Sequence, residues 1–186
     1  MTDRLTIRPP GTARLRIPVI EDDHVRGPVE APVTLVVYGD YQCRFCRLAH
    51  ANLREVLRQR ADLVRLVHRH FPDADVHPYA EQAAEAAEAA GRRGRFWEMH
   101  DWLYDHQDEL NPARLALGVE QLGLPAAQVA AEIGRHAGGD RIRRDVVGGI
   151  RSGVKATPTL FVNGTLHNGG FAPTTLLTTI DTTSTP

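Results

Sequence analysis

The sequence predicts an α/β fold in which a strand–helix–strand unit is separated from a closing hairpin and helix by an all-helical insertion. Three observations carry this. Val33–Gly39 is a nearly continuous apolar run, and a helical stretch then leads to a second apolar run at Leu63–His70. Short joins make this a βαβ unit, with parallel strands and a right-handed crossover. From Pro78 to about Gly153 the texture is helical, after which Asn163-Gly164 between two apolar runs marks a hairpin.

Taken in order, residues 1–10 read as a loose leader. Ala13, Leu15 and Ile17 alternate with Arg14 and Arg16, which predicts a short half-exposed strand. Gly27-Pro28 and Ala31-Pro32 break the chain ahead of Val33–Gly39, whose apolar character on both faces predicts a central strand. Arg47–Arg60 reads as a helix burying Leu48, Leu53, Val56 and Leu57. Pro78 suits a first helical position and Gly91 the position just past the alanine-rich helix Glu81–Ala90. The acidic residues of that helix are expected on a solvated face. Phe96, Met99 and Leu103, with Trp102 and His106 beside them, recur at core-facing helical spacing. Asn111-Pro112 and Leu124-Pro125 open two further helices, with Gly123 closing the first. Asp140 can cap a last insertion helix with Ile142, Val146, Ile150 and Val154 inward, where Gly148 and Gly149 weaken the helix or mark a close neighbour. Thr159–Val162 and Thr165–His167 form the hairpin, and Leu176, Leu177 and Ile180 a final helix. The domain reading is an N-terminal extension over 1–20 and a single domain over 21–181 with its insertion at about 78–153. A frayed tail over 182–186 follows.

The 186 residues suffice for one real core, and 42% hydrophobic content with mixed charge indicates a globular protein. A net charge of −1 gives no basic field for nucleic acid. No apolar run reaches membrane-spanning length. The N-terminus lacks the apolar stretch of a secretory signal, so a cytoplasmic location is expected.

The two cysteines of the chain, Cys43 and Cys46, stand three apart directly after the central strand and at a helix start. Two cysteines make no disulfide framework, whereas a Cys-x-x-Cys in this context is a redox signature. Unpaired N–H groups and the helix dipole favour a thiolate at Cys43. Arg44, Phe45 and Arg47 are the residues expected to tune it, the two arginines by placing positive charge nearby. Cys46, one turn in, can close an intramolecular disulfide.

The chain resembles the DsbA-like, thioredoxin-fold disulfide oxidoreductases over about Asp23–Ile180. The resemblance rests on Asp23–Pro28, Tyr38-Gly39-Asp40, Arg69–Pro72, Asp75–Pro78, Gly94–His100 and Thr157–Gly164, in that order around the cysteine pair. Similar domains occur free-standing and fused behind sodium/proton antiporters; the soluble form is the one expected here. The resemblance implies a thioredoxin fold (βαβ…ββα with the helical insertion between its halves). It also implies Cys43 as the attacking, exposed sulfur, Cys46 as the resolving one, and a cis Thr157-Pro158 that faces the pair and binds substrate. The implied partners are protein dithiols and disulfides or glutathione-type small thiols, with no cofactor and no metal. Two positions depart from the pattern: Arg44 stands where many relatives have proline, and Val37 where many have a glutamate beneath the pair. With Val37 there, proton removal from Cys46 is expected to rely on water and to be slow. Asp40 is expected in the exposed loop.

Other readings fare less well. Two readings other than exchange remain: a redox-inactive or redox-sensing binding domain, and a glutathione-dependent transferase or isomerase of related fold. Cys43, Cys46 and His50 have a C-x2-C-x3-H spacing, but a structural zinc needs a fourth ligand. His68 and His70 alternate in a strand and are expected to pack on one face, while His77, His100 and His106 are expected to cap or pack within the insertion. Gly148–Lys155 fails as a phosphate loop, because Val154 separates Gly153 from Lys155. Asn163-Gly164-Thr165 is explained by the hairpin turn.

Overall fold

Strand β2 (Val33–Gly39) runs through the centre of a five-stranded sheet because it is apolar on both faces. Val33, Leu35 and Val37 join one core layer, and Val36 and Tyr38 the other, the period-two alternation of a strand. Helix α1 (Arg44–Gln59) carries the chain from β2 to β3 (Val64–His70), which pairs parallel with β2. On the other side β4 (Thr159–Val162) pairs antiparallel. The edges are β1 (His24–Arg26), antiparallel to β3, and β5 (Thr165–Leu166), antiparallel to β4, giving the order β1-β3-β2-β4-β5. The structure, a computed structural model, describes residues 13–184; the expected leader over residues 1–10 lies outside the described residues.

Leu53 and Val56 of α1 and Leu176 and Ile180 of α7 (Pro173–Ser184) cover one sheet face. The opposite face, with Tyr38, Val67 and Phe161, receives Val154 and helix α6 (Gly139–Arg151). Gly149 permits that approach, since a Cβ there would lie 2.8 Å from the Phe71 ring and 3.0 Å from Tyr38. Between β3 and α6 stand α2 (Ala80–Gly91), α3 (Phe96–Asp105), α4 (Pro112–Gln121) and α5 (Ala126–Gly134). The alanines of α2 are buried almost all round, and their small size lets α3, α4 and α5 pack about it with Met99, Leu103, Leu115, Val119 and Val129. The βαβ unit, the insertion, the hairpin and the last helix all stand as the sequence predicts. The hairpin turn is left-handed at Asn163 (φ 45°) and Gly164 (φ 76°).

Several details differ. Residues 13–17 make one isolated bridge, Arg14 to Thr165, instead of a strand. The first strand is β1, whose three residues are too few for periodicity to reveal. Helix α1 begins at Arg44, three residues before the expected start, and Leu48 is 60% exposed while Ala49 and His50 turn inward. Gly91 is the last residue of α2, pressed near His24 and Phe96, and Gly94 (φ 71°) makes the turn. The acidic face of α2 is not solvated throughout. Glu85 is 1% and Glu88 7% exposed, because Glu85 accepts from the Gly138 N–H and Glu88 from two imidazoles. In α6, Ile150 is 61% exposed and Asp145 points inward, accepting from the His70 N–H and Arg141. The expected tail at Thr182 is helical through Ser184, its threonine hydroxyls donating back to carbonyls one turn earlier.

One ion pair is buried in the sheet itself. Arg69 of β3 donates to both carboxylate oxygens of Asp23 (3.1 and 2.8 Å), to the Ile17 and Pro18 carbonyls and to the Tyr38 hydroxyl. Burial pushes the Asp23 carboxyl up, but the Arg69 hydrogen bonds, the Ile20 N–H and the charges of Arg69 and Arg141 together outweigh it and leave the carboxyl below its ordinary range. Arg69→Met is expected to lower stability by about 3–5 kcal/mol, since it leaves Asp23 as a buried charge short of its principal partner. Urea denaturation beside the unaltered protein checks this.

Candidate active site

Cys43 is the N-cap of α1 and Cys46 lies in its first turn. The apolar strand delivers the chain to this point, and the loop between is held from both sides. The Asp40 carboxylate accepts from the Gln42 N–H (2.7 Å), the Asp73 N–H (2.8 Å) and His77 Nδ1 (2.8 Å). Gln107 reaches in from a 3-10 turn and donates to the Tyr41 and Cys43 carbonyls (2.7 and 3.0 Å). Gln42 in turn accepts from the Tyr79 N–H.

The two thiols are unlike. Cys43 opens on a groove of about 420 Å³ lined by Phe71, Pro72, Asp73, His77 and Thr157, whereas Cys46 closes off a cavity of about 20 Å³ on the inner side. The Cys43 thiol is 3.4 Å from the Thr157 carbonyl, and the Asp40 N–H is 3.5 Å from the Cys46 sulfur. The Cys43 pKa falls to about 5: the Cys46 thiol, donating to the Cys43 sulfur, lowers it most, burial opposes, and Thr157 and the N–H groups of Cys46 and Phe45 at the helix start add to the lowering. Burial, and then that same donation, push the Cys46 thiol far up. The outer thiol is therefore the readier to ionise, and the inner one behind it holds its proton.

The predicted residues fall into three groups. Cys43, Cys46 and Thr157 come together as expected, and the Thr157–Pro158 peptide is cis. Thr157 lines the groove beside Cys43, and Pro158 lines the inner cavity. Phe45 contributes its backbone N–H. Arg44 and Arg47 take other partners: the Arg44 guanidinium lies over the Phe45 ring, 4.7 Å from its centroid, and Arg47 pairs with Asp108. Cys43 is less exposed than expected, at 6%, its sulfur meeting solvent through the groove. Asp40, expected in an exposed loop, is buried, because three donors satisfy its oxygens. His77 packs on Asp40 rather than within the insertion. Residues that sequence reasoning missed are Gln107 and the imidazoles beneath Cys46, namely His50, His68 and His100. The two-residue period of β3 places His68 on the inner face, and that was the available signal.

Among the described residues two groups bring three ligand atoms within 4.8 Å, His24–His70–Glu88 and His50–His100–Asp101, and neither includes a cysteine. One Glu88 oxygen already accepts from both imidazoles of the first group, and Arg26 holds both Asp101 oxygens of the second. Both groups are read as hydrogen-bond networks.

A Cys-x-x-Cys at the start of the helix that follows the central strand, in this sheet order and with a helical insertion, defines a thioredoxin-fold protein. The family model described as thioredoxin matches residues 20–182, and the chain belongs to that family. Its fold superposes on oxidised BdbD from Bacillus subtilis with a TM-score of 0.82 at 19% identity, covering 93% of this chain and 97% of that one. It also superposes on alpha-DsbA1 from Wolbachia pipientis with a TM-score of 0.77 at 19% identity, covering 89% and 92%. The DsbA-like resemblance drawn from the sequence is upheld, with its helical insertion. In sequence the chain is 50% identical over 162 residues to the Na(+)/H(+) antiporter NhaA 1 of Salinispora arenicola, covering 87% of this chain and 25% of that protein. It is 38% identical over 184 residues to that of Mycolicibacterium vanbaalenii, covering 97% and 30%. The chain thus spans 25–30% of the length of these curated relatives. No helix among the described residues is long and apolar enough to cross a membrane.

Thiol alkylation followed against pH is expected to show a Cys43 midpoint near 5. Cys46→Ala should raise that midpoint more than Thr157→Val does. The same shift governs stability. In the unfolded chain the Cys43 thiol keeps its proton up to its ordinary value of 9.0, whereas in the folded chain it loses it near 5. The reduced protein therefore gains stability from this group as pH rises from 5 towards 9, and loses it as pH falls through that window.

Proposed function

We propose that the protein is a thiol–disulfide oxidoreductase in which the Cys43 thiolate attacks a partner disulfide and Cys46 resolves the mixed disulfide. The observation that carries this reading is the contrast between the thiols: the lowered one faces the groove and the raised one stands behind it. Attack by Cys43 forms a bond to one partner sulfur and releases the other as a thiolate. Attack by Cys46 on Cys43 then releases the first partner sulfur and closes the Cys43–Cys46 disulfide. The reverse sequence oxidises a partner dithiol.

A groove of about 420 Å³ suits an extended protein segment around a cysteine better than a small thiol alone. Thr157 forms its wall beside Cys43, where main-chain groups can pair with such a segment as an added strand. Protein dithiols and disulfides are therefore the proposed partners, with small thiols as the recharging couple.

Catalysed reduction of insulin, or oxidation of a reduced unfolded protein, is the test, and Cys43→Ser should abolish both. Partner binding retained without any exchange in the unaltered protein would overturn the reading. The groups that hold Cys43 as a thiolate stabilise the dithiol, so the disulfide is expected to be more oxidising than thioredoxin's roughly −270 mV. Equilibration across a glutathione series measures it.

A further inference from the structure

The Cys46 thiol cannot attack until it gives up a proton, and among the described residues no carboxylate lines the space beside it. That space is the cavity of about 20 Å³ bounded by Cys46, His50, His68, His100 and Tyr104. It is large enough for one water, which needs two to four polar partners. Among the described residues His50 Nε2 and His68 Nε2 are buried and make no hydrogen bond, an arrangement that is costly unless something meets them. His100 is already engaged through Nδ1 with the Tyr41 hydroxyl at 3.0 Å. The two imidazoles with an open nitrogen come from different elements, α1 and β3, and both border the cavity that Cys46 closes.

We propose that His50 and His68 accept the Cys46 proton through one water held in this cavity when the mixed disulfide resolves. The assignment rests on the exchange reaction proposed above. The Cys46 S–H bond breaks and its proton passes through the water to an imidazole nitrogen. The Cys46 sulfur attacks the Cys43 sulfur, the Cys43–Cys46 bond forms, and the bond from Cys43 to the partner sulfur breaks. The partner sulfur leaves with the electron pair, reduced, and the cysteine pair is oxidised. Burial holds His50 and His68 neutral, His50 at about 4 and His68 well below its ordinary value, so both present a lone pair at neutral pH and pass the proton on rather than store it. An outlet exists: His50 Nε2 is 3.6 Å from an Asp101 oxygen, and the Asp101 side chain is 27% exposed.

Mixing the reduced protein with an aromatic disulfide whose thiolate product absorbs visible light separates the steps. The first equivalent released reports Cys43 attack, and the second reports Cys46 resolution. In the unaltered protein the second phase is expected to slow in heavy water and the first is not. In the double variant His50→Phe, His68→Phe, which keeps two aromatic rings and removes the nitrogens, the second phase should slow about 100-fold. A second phase insensitive to heavy water, or unchanged in the double variant, overturns the proposal; the heavy-water comparison needs no variant to fold. Loss of the second phase in the unaltered protein would instead overturn the exchange reaction itself.

Discussion

The Asp40 carboxylate joins the two walls of the site. Its side chain is fully buried, and its oxygens take the Gln42 N–H from the cysteine loop together with the Asp73 N–H and His77 from the loop beyond β3. A carboxylate taken out of water is tolerated only when such donors replace the solvent, so neither loop can move without leaving it short. The cysteine loop forms one side of the groove, and the segment from Phe71 to His77 forms another. Asp40 thus ties two sides of the groove together. That same residue's backbone N–H lies against the Cys46 sulfur, so the anchor also fixes the inner thiol.

Other buried charges do for the insertion what Asp40 does for the groove. Glu88 of α2 accepts from His24 of β1 and His70 of β3, and Asp145 of α6 accepts from the His70 N–H and Arg141. Arg141 also reaches Asp23, already paired with Arg69. Networks of this kind are costly when half satisfied and directional when complete. They set α2 and α6 against the sheet, and α2 packs on α3. Helix α3 carries His100 and Tyr104, which back the cysteine pair. Placement of the insertion is therefore part of the site's chemistry, not a separate matter of core packing.

Periodicity and turn chemistry made the frame legible. β2, the βαβ crossover, the helices that open at Asn111 and Pro125 and the Asn163-Gly164 turn all follow from local rules, because apolar spacing and glycine conformations are local properties. The polar interior was not legible. Nothing local tells Glu88 that two histidines from distant strands will reach it, or tells Asp40 that the Asp73 N–H lies 2.8 Å away. Arg44 and Arg47 show the converse error. Nearness in sequence suggested that their charges tune Cys43, but each is held by a partner of its own. What lowers Cys43 lies in the Cys46 thiol, in Thr157 from the far end of the chain, and in backbone N–H groups.

One hydrogen bond acts on the two thiols in opposite senses, as the largest cause at Cys43 and as an addition to burial at Cys46. The Cys46 S–H donates to the Cys43 sulfur, which favours charge on Cys43 and opposes it on Cys46. That bond exists for as long as Cys43 carries the charge. In the proposed exchange, once Cys43 has attacked a partner its sulfur is covalently bound and neutral, and the reason for Cys46 to keep its proton on Cys43's account disappears. What then holds the proton on Cys46 is burial, the larger of the two causes. In that proposed sequence the outer cysteine sets the rate of attack through groups at the groove and the helix start. On that reading the inner one is released by whatever faces its buried side, and there, among the described residues, stand imidazoles and a valine, with no carboxylate among them.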